Sequence, residues 1–328
     1  MGALGSRFTV SNRNTLATLR SRIRLPVFDS GADGDAVLVV GTGRSGTTWL
    51  AELINHGNEF RTIFEPLHPS RSLACLQTPG RLHGGLRLDD STHELVLKVT
   101  QGRYRSKWLD QYNSRFRYQR RLVKSIRMNL LVGQIAGSFP QIPIVLIVRN
   151  PILNSMSRAG GKWPSPLEYF DSPELRVLHP AIEQYVSGRS GLTDWQQSIA
   201  FWCIETYVAL LGAQNSSVLV TSHEELIGRS EDLVPQILSF TGASPLPDVE
   251  RASRRPSAMT RRNAMPSNSE KTIADRIALV EAAQTQAANG ILADFGLDAL
   301  YGPDGLPRSP ASTWPALISL SRRSSGLI

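Results

Sequence analysis

The apolar run Ala36-Val37-Leu38-Val39-Val40 is followed at once by Gly41-Thr42-Gly43-Arg44-Ser45-Gly46 and then by Thr47-Thr48-Trp49-Leu50-Ala51-Glu52-Leu53-Ile54. A β-branched run of this length reads as a buried strand, and the spacing of Trp49, Leu50, Leu53 and Ile54 reads as one face of a helix. A glycine-rich turn between strand and helix aims successive backbone N–H groups at one point, beside the positive end of the helix dipole. The order strand, turn, helix therefore predicts a cradle for phosphate or sulfate. It also commits the chain to an α/β architecture in which that cradle lies at the carboxyl edge of a parallel sheet.

The spacing from Gly41 to Gly46 matches the nucleotide-binding loop G-x-x-x-x-G-K-[ST], except that Thr47 stands in the lysine position. That lysine reaches the β- and γ-phosphates, and the next hydroxyl holds magnesium. Threonine has neither the length nor the charge to do the same. The basic group lies inside the loop instead, as Arg44, which suits a donor with one anionic 5′ arm better than a metal-bound triphosphate. A second buried strand, Ile144-Val145-Leu146-Ile147-Val148, runs into Arg149-Asn150-Pro151, with Ser157 eight positions after Arg149. A guanidinium takes a phosphate through two parallel hydrogen bonds and a hydroxyl adds another donor. Pro151 suits a first helical turn, where its missing N–H costs nothing.

Together these segments resemble the sulfotransferase family. Gly43-Arg44-Ser45-Gly46-Thr47-Thr48-Trp49-Leu50 is similar to its 5′-phosphosulfate loop, and Arg149 with Ser157 to its 3′-phosphate motif. Ile63-Phe64-Glu65-Pro66-Leu67 resembles the segment found after the loop helix in carbohydrate-type members. Arg121 to Arg127 resembles a strand with a K-x-x-R pattern, here Lys124 and Arg127, and Val218 to Leu226 resembles the last core strand. The likeness runs through roughly residues 36–245.

The resemblance implies a P-loop-like three-layer α/β sandwich with a parallel sheet of about five strands. It implies 3′-phosphoadenosine 5′-phosphosulfate, PAPS, as sulfuryl donor, with no metal. Gly43, Arg44, Ser45, Gly46, Thr47, Thr48, Trp49, Arg149 and Ser157 would then bind the donor. Glu65 is the first candidate for the base that takes the acceptor's proton, with His68 and His56 as alternatives, and Arg44 and Lys124 would stabilise charge at the reacting centre. The acceptor is expected to be a glycan or a small hydroxylated metabolite. A P-loop kinase or NTPase, or a nucleotide-binding relative without catalysis, is the competing reading.

The remaining sequence bounds these expectations. A chain of 328 residues with 41% hydrophobic and 20% charged content describes an ordinary globule. No linker divides the strand–helix alternation, so one domain is expected over 34–302, between an extension (1–33) and a loosely ordered Ser/Pro/Arg-rich tail (303–328). No apolar run is long enough to span a bilayer. The N-terminal arginines 7, 13, 20, 22 and 24 lack the apolar region of a secretory signal. A cytoplasmic, bacterial setting is therefore expected. Cys75 and Cys203 define neither a disulfide framework nor a metal set, and Cys203 reads as a buried thiol. The net charge is +8, with arginine supplying all but five of the 36 basic residues. The segment 103–121 is its densest basic–aromatic stretch. No nucleic-acid-binding pattern accompanies it, so a solvated face or an anionic acceptor are the two readings.

Overall fold

A computed structural model of the protein describes residues 27–31, 35–71, 90–215, 217–255, 257 and 270–324. The N-terminal arginines and Cys75 lie outside the described residues. Five strands form the main sheet: β1 (Ala36–Val40), β2 (Phe60–Phe64), β3 (Arg120–Ser125), β4 (Ile144–Val148) and β5 (Val218–Ser222). They are all parallel and lie in the order β2-β3-β1-β4-β5. The expected sheet of about five parallel strands is the one observed.

Alternation along β1 and β4 builds the layers. Ala36, Leu38, Val40, Ile144, Leu146 and Val148 enter one core, whereas Val37, Val39, Val145 and Ile147 enter the other. Successive strand side chains point to opposite faces, so a run that is apolar throughout requires a cover on both sides. One cover is α1 (Thr47–Ile54), contributing Trp49, Leu50, Leu53 and Ile54. The other is dominated by a long helix, Asp194–Gly212, whose start is fixed by a reciprocal Thr193–Gln196 capping box and whose Trp202 and Cys203 are fully buried.

Strand order reverses between β1 and β4. The chain leaves β1 toward β3 and β2 on one side and returns to β4 and β5 on the other. Their register, with Val40 opposite Leu146, brings the loop after β1 beside the residues after β4. Crevices at such reversal points, at the carboxyl edge, are where open parallel sheets bind ligands.

The C-terminal region differs from the loosely ordered tail expected from its composition. Residue Tyr301 bridges Pro307, a helix spans Trp314–Ser324, and Trp314 is fully buried with its ring 5.2 Å from that of Tyr301. Two aromatic anchors outweigh the Ser/Pro/Arg bias, whose prolines and glycines serve as turns between them. The boundary expected at residue 302 thus falls inside packed structure. Cys203 is buried, as its apolar neighbours imply.

Candidate active site

Three glycines let the loop close over the β1–β4 junction. A Cβ on Gly41 would lie 2.3 Å from the Ile147 carbonyl oxygen, and one on Gly46 would lie 2.6 Å from His223 Cδ2. Gly46 also holds φ +99°, as Arg44 holds φ +77°, a region costly for a residue with a side chain. No side chain caps α1 at Gly46, so its first amide donors are left for a ligand. The structure thus brings Gly43, Arg44, Ser45, Gly46, Thr47 and Thr48 around one anion-binding helix end.

The second motif begins where β4 ends. Asn150 caps α4 (Pro151–Gly160), its Oδ1 accepting from Ile152 and Leu153 N–H, with Pro151 in the first turn. Arg149 Nη1 donates to the Arg44 carbonyl oxygen at 3.0 Å, and Arg44 Nε donates to Ser157 Oγ at 3.0 Å. Asn154, between them on α4, donates to the Gly43 carbonyl at 3.1 Å. Trp202 of the long helix donates to the Arg149 carbonyl at 2.9 Å. Burial draws the Arg149 guanidinium down to about 10 against the opposing pull of Glu224, which leaves it charged at neutral pH. Among the described residues, Ser45 Oγ, Asn154 Oδ1 and Arg149 Nε are buried around the loop without a hydrogen-bond partner. Buried polar atoms of this kind call for a polar ligand or water. Trp49 is anchored by donation to the Ser253 carbonyl at 3.2 Å, with its ring 5.5 Å from His223.

On the opposite side of β1 lies Glu65, at the end of β2, buried and at φ +46°. Its Oε1 pairs with Lys124 Nζ from β3, and its Oε2 accepts from Arg127 at 3.2 Å and from the Ile126 N–H at 3.3 Å. The K-x-x-R spacing on and after β3 is what delivers both cations to one carboxylate. His68 stays close to this group. Its N–H donates to the Glu65 carbonyl at 3.1 Å and its ring meets Trp108 edge-on. Burial, then Arg127, depresses its imidazole below the usual histidine value. His56 lies beyond the far end of α1 with Nε2 2.9 Å from the Ser244 carbonyl. A cavity of about 470 Å³ on the β2 side of α1 is lined by Thr48, Glu52, Phe64, Tyr112 and Lys124, among others.

Two features of the site escaped sequence reasoning. Glu205 of the long helix is buried, with hydrogen bonds to Thr42 of the loop and to Asn129; burial pushes its carboxyl up to about 7 despite Arg158. The signal was available, since Glu205 is the one charged residue in the run Ala200–Leu211. Trp163 packs on the loop, and a Cβ on Gly43 would stand 2.9 Å from its ring. The basic stretch 103–121 is largely committed to structure. Arg115 donates to the Gly57 carbonyl, Arg120 to those of Thr241 and Gly242, and Arg121 pairs with Asp29.

A family model described as "Sulfotransferase family" matches residues 36–248. The chain belongs to the sulfotransferase family. It is therefore an enzyme of sulfuryl transfer whose donor is that of the family, PAPS, and the kinase reading of the loop gives way. No curated protein matches the sequence. Among solved structures, a sulfotransferase domain from the curacin biosynthetic pathway is 15% identical, covering 82% of this chain and 98% of its own, with a TM-score of 0.40. Mouse sulfotransferase SULT7A1, complexed with PAP, is 16% identical, with coverages of 87% and 89% and a TM-score of 0.41. Sulfotransferase STF9 from Mycobacterium avium is 12% identical, with coverages of 85% and 80% and a TM-score of 0.39. Likeness at that level decides nothing about this chain's acceptor. Among the described residues no helix is long and apolar enough to cross a membrane.

Proposed function

We propose that the Gly43–Trp49 segment, Arg149 and Ser157 hold PAPS, and that Glu65 accepts the proton of an attacking acceptor hydroxyl. The observation that carries the reading is the meeting of three separate segments at one sheet edge. Arg149 bonds the Arg44 backbone, the Arg44 side chain bonds Ser157, and Lys124 with Glu65 lies across β1 from them.

The residues fit the donor. Its bound form supplies an electrophilic sulfur whose leaving group is a phosphate. The uncapped α1 amides, Thr47 and Thr48 receive the 5′ arm, and the unpartnered Arg149 Nε adds a donor for the 3′-phosphate. Arg44 stays charged at any working pH and acts electrostatically, because a guanidinium does not surrender its proton. Positioning and charge stabilisation carry most of a transfer of this kind. Lys124 sits between Glu65 and the cavity that also reaches Thr48, so it can screen the carboxylate while facing a transferring oxyanion. In this reading Glu65 outranks His56, which lies at the other end of α1, and His68 sits behind it.

The acceptor is a glycan or a small hydroxylated metabolite in this proposal, and the cytoplasmic setting belongs to it too. Incubation with radiolabelled PAPS and a panel of sugars, phenols and hydroxylated lipids, in chelator, tests the whole reading. Label should move to a hydroxyl-bearing acceptor and adenosine 3′,5′-bisphosphate should accumulate. Tight nucleotide binding with no transfer to any class would support a non-catalytic relative instead.

A further inference from the structure

Behind Arg149 stands a buried carboxylate that none of the proposed chemistry uses. Glu224, the second residue of the short helix His223–Gly228, is 1% exposed. Its Oε1 accepts from the backbone N–H of Asn150 at 3.2 Å, and its Oε2 accepts from the Tyr301 hydroxyl at 3.3 Å. One oxygen is thus fixed by the residue that follows Arg149, and the other by a segment beyond the family-matched region. That segment is itself pinned: Gly305 O accepts from Asn150 Nδ2 at 3.3 Å, and Ala311 N–H donates to the Glu225 carboxylate.

The charged and titratable groups around this carboxylate come from several elements. Arg149 faces it from the end of β4 and is its largest favourable charge partner. His223 Nδ1 is 3.9 Å from Oε1, held neutral by burial and by Arg149 and Arg276. Tyr301 and Glu225 complete the set from the C-terminal segment and from the same helix. Burial pushes the Glu224 carboxyl up to about 7, so its charge is held only by Arg149 and its hydrogen bonds.

We propose that Glu224 is the counter-charge of Arg149 in the donor-free enzyme, and that it yields Arg149 to an arriving 3′-phosphate by taking up one proton from solvent. This rests on the reading that Arg149 receives the 3′-phosphate. Two anions that share one buried cation raise each other's proton affinity. A phosphate monoester is a much weaker base than a carboxylate already pushed upward by burial and deprived of its cation, so the proton goes to Glu224. The balance is simple: one proton leaves solvent, the Glu224 carboxylate becomes a carboxylic acid, and no bond to the nucleotide is made or broken. Glu224 is therefore a positioning residue, and Tyr301 and the Asn150 N–H keep its carboxylate aimed at Arg149 until the exchange.

Calorimetric titration of the full chain with 3′-phosphoadenosine 5′-phosphate, at about pH 8 in two buffers of different ionisation enthalpy, reads the proton directly. At that pH the free phosphates are already fully ionised. The expected result is net uptake with this nucleotide and none with adenosine 5′-phosphate. Glu224→Gln should abolish the uptake and bind the 3′-phosphorylated nucleotide at least as tightly as the parent, an outcome that mere structural damage does not give. No uptake by the parent, or uptake that persists in Glu224→Gln, overturns the proposal and in the second case points to His223. If Glu224→Gln fails to fold, Tyr301→Phe carries the test. Losing one donor leaves Glu224 more protonated beforehand, so uptake should fall, and unchanged uptake overturns the proposal. Equal affinity of the parent for both nucleotides would instead sink the reading of Arg149, and the inference with it.

Discussion

Arg149 donates to the backbone oxygen of Arg44 at 3.0 Å, so the cation proposed for the 3′-phosphate also braces the strained loop proposed for the 5′ arm. Arg44 returns the contact by donating to Ser157 at 3.0 Å. The two donor motifs, more than 100 residues apart, are one mechanical unit. Loss of either should therefore loosen both.

Glu65 offers the sharpest test of catalysis. Glu65→Gln keeps the shape and the Ile126 contact but cannot accept a proton, so turnover should drop by about 10²–10⁴-fold with nucleotide affinity nearly intact. The acidic limb of the pH–rate profile should vanish with it. Near-normal turnover in this variant, together with inactive His68→Ala, would move the base to His68.

Metal independence follows from Thr47 standing where a nucleotide loop carries lysine. Sulfuryl transfer should proceed at an unchanged rate in excess EDTA. A requirement for added magnesium would return the loop to the kinase class.

Glu205 predicts an unusual pH dependence of stability. Its carboxyl titrates near 7 in the folded chain, raised mainly by burial, and near the ordinary glutamate value when unfolded. The native state then binds more protons between these values, so stability is greatest below the lower one and falls as pH rises toward the upper. Glu205→Gln removes that penalty. It should stabilise the protein by on the order of 1–3 kcal/mol at pH 8 and change little at pH 5. Thermal melts of both proteins across this range check it, and a pH-independent difference would contradict it.

Trp314 reports on the C-terminal segment. Truncating a fully buried tryptophan costs roughly 3–5 kcal/mol. Denaturant melts of Trp314→Ala should show that loss, whereas a loosely ordered tail would show none.

What the sequence disclosed follows from what is local. The strands at Ala36 and Ile144, the glycine turn, the Asn150–Pro151 helix start and the spacing of Lys124 and Arg127 are all written in short windows. Their physics is periodicity, turn chemistry and capping, and each was legible. Glu224, Glu205 and Tyr301 were not, because a buried carboxylate gains meaning only from partners distant in the chain, such as Tyr301, 77 residues after Glu224. The tail was misjudged for a related reason. Composition weighs its serines and prolines, but packing is decided by Tyr301 and Trp314 meeting at 5.2 Å. The basic stretch 103–121 shows the same limit, since most of its arginines bind backbone carbonyls that no local window reveals.

Donor recognition is the claim on which the account turns, and one comparison reaches it directly. Titration of the parent and of Arg149→Ala with 3′-phosphoadenosine 5′-phosphate and with adenosine 5′-phosphate measures the 3′-phosphate's contribution alone. The parent should prefer the 3′-phosphorylated nucleotide, and Arg149→Ala should lose about 2–4 kcal/mol toward it while hardly changing toward the other. Equal losses for both nucleotides, or no preference in the parent, would contradict the account.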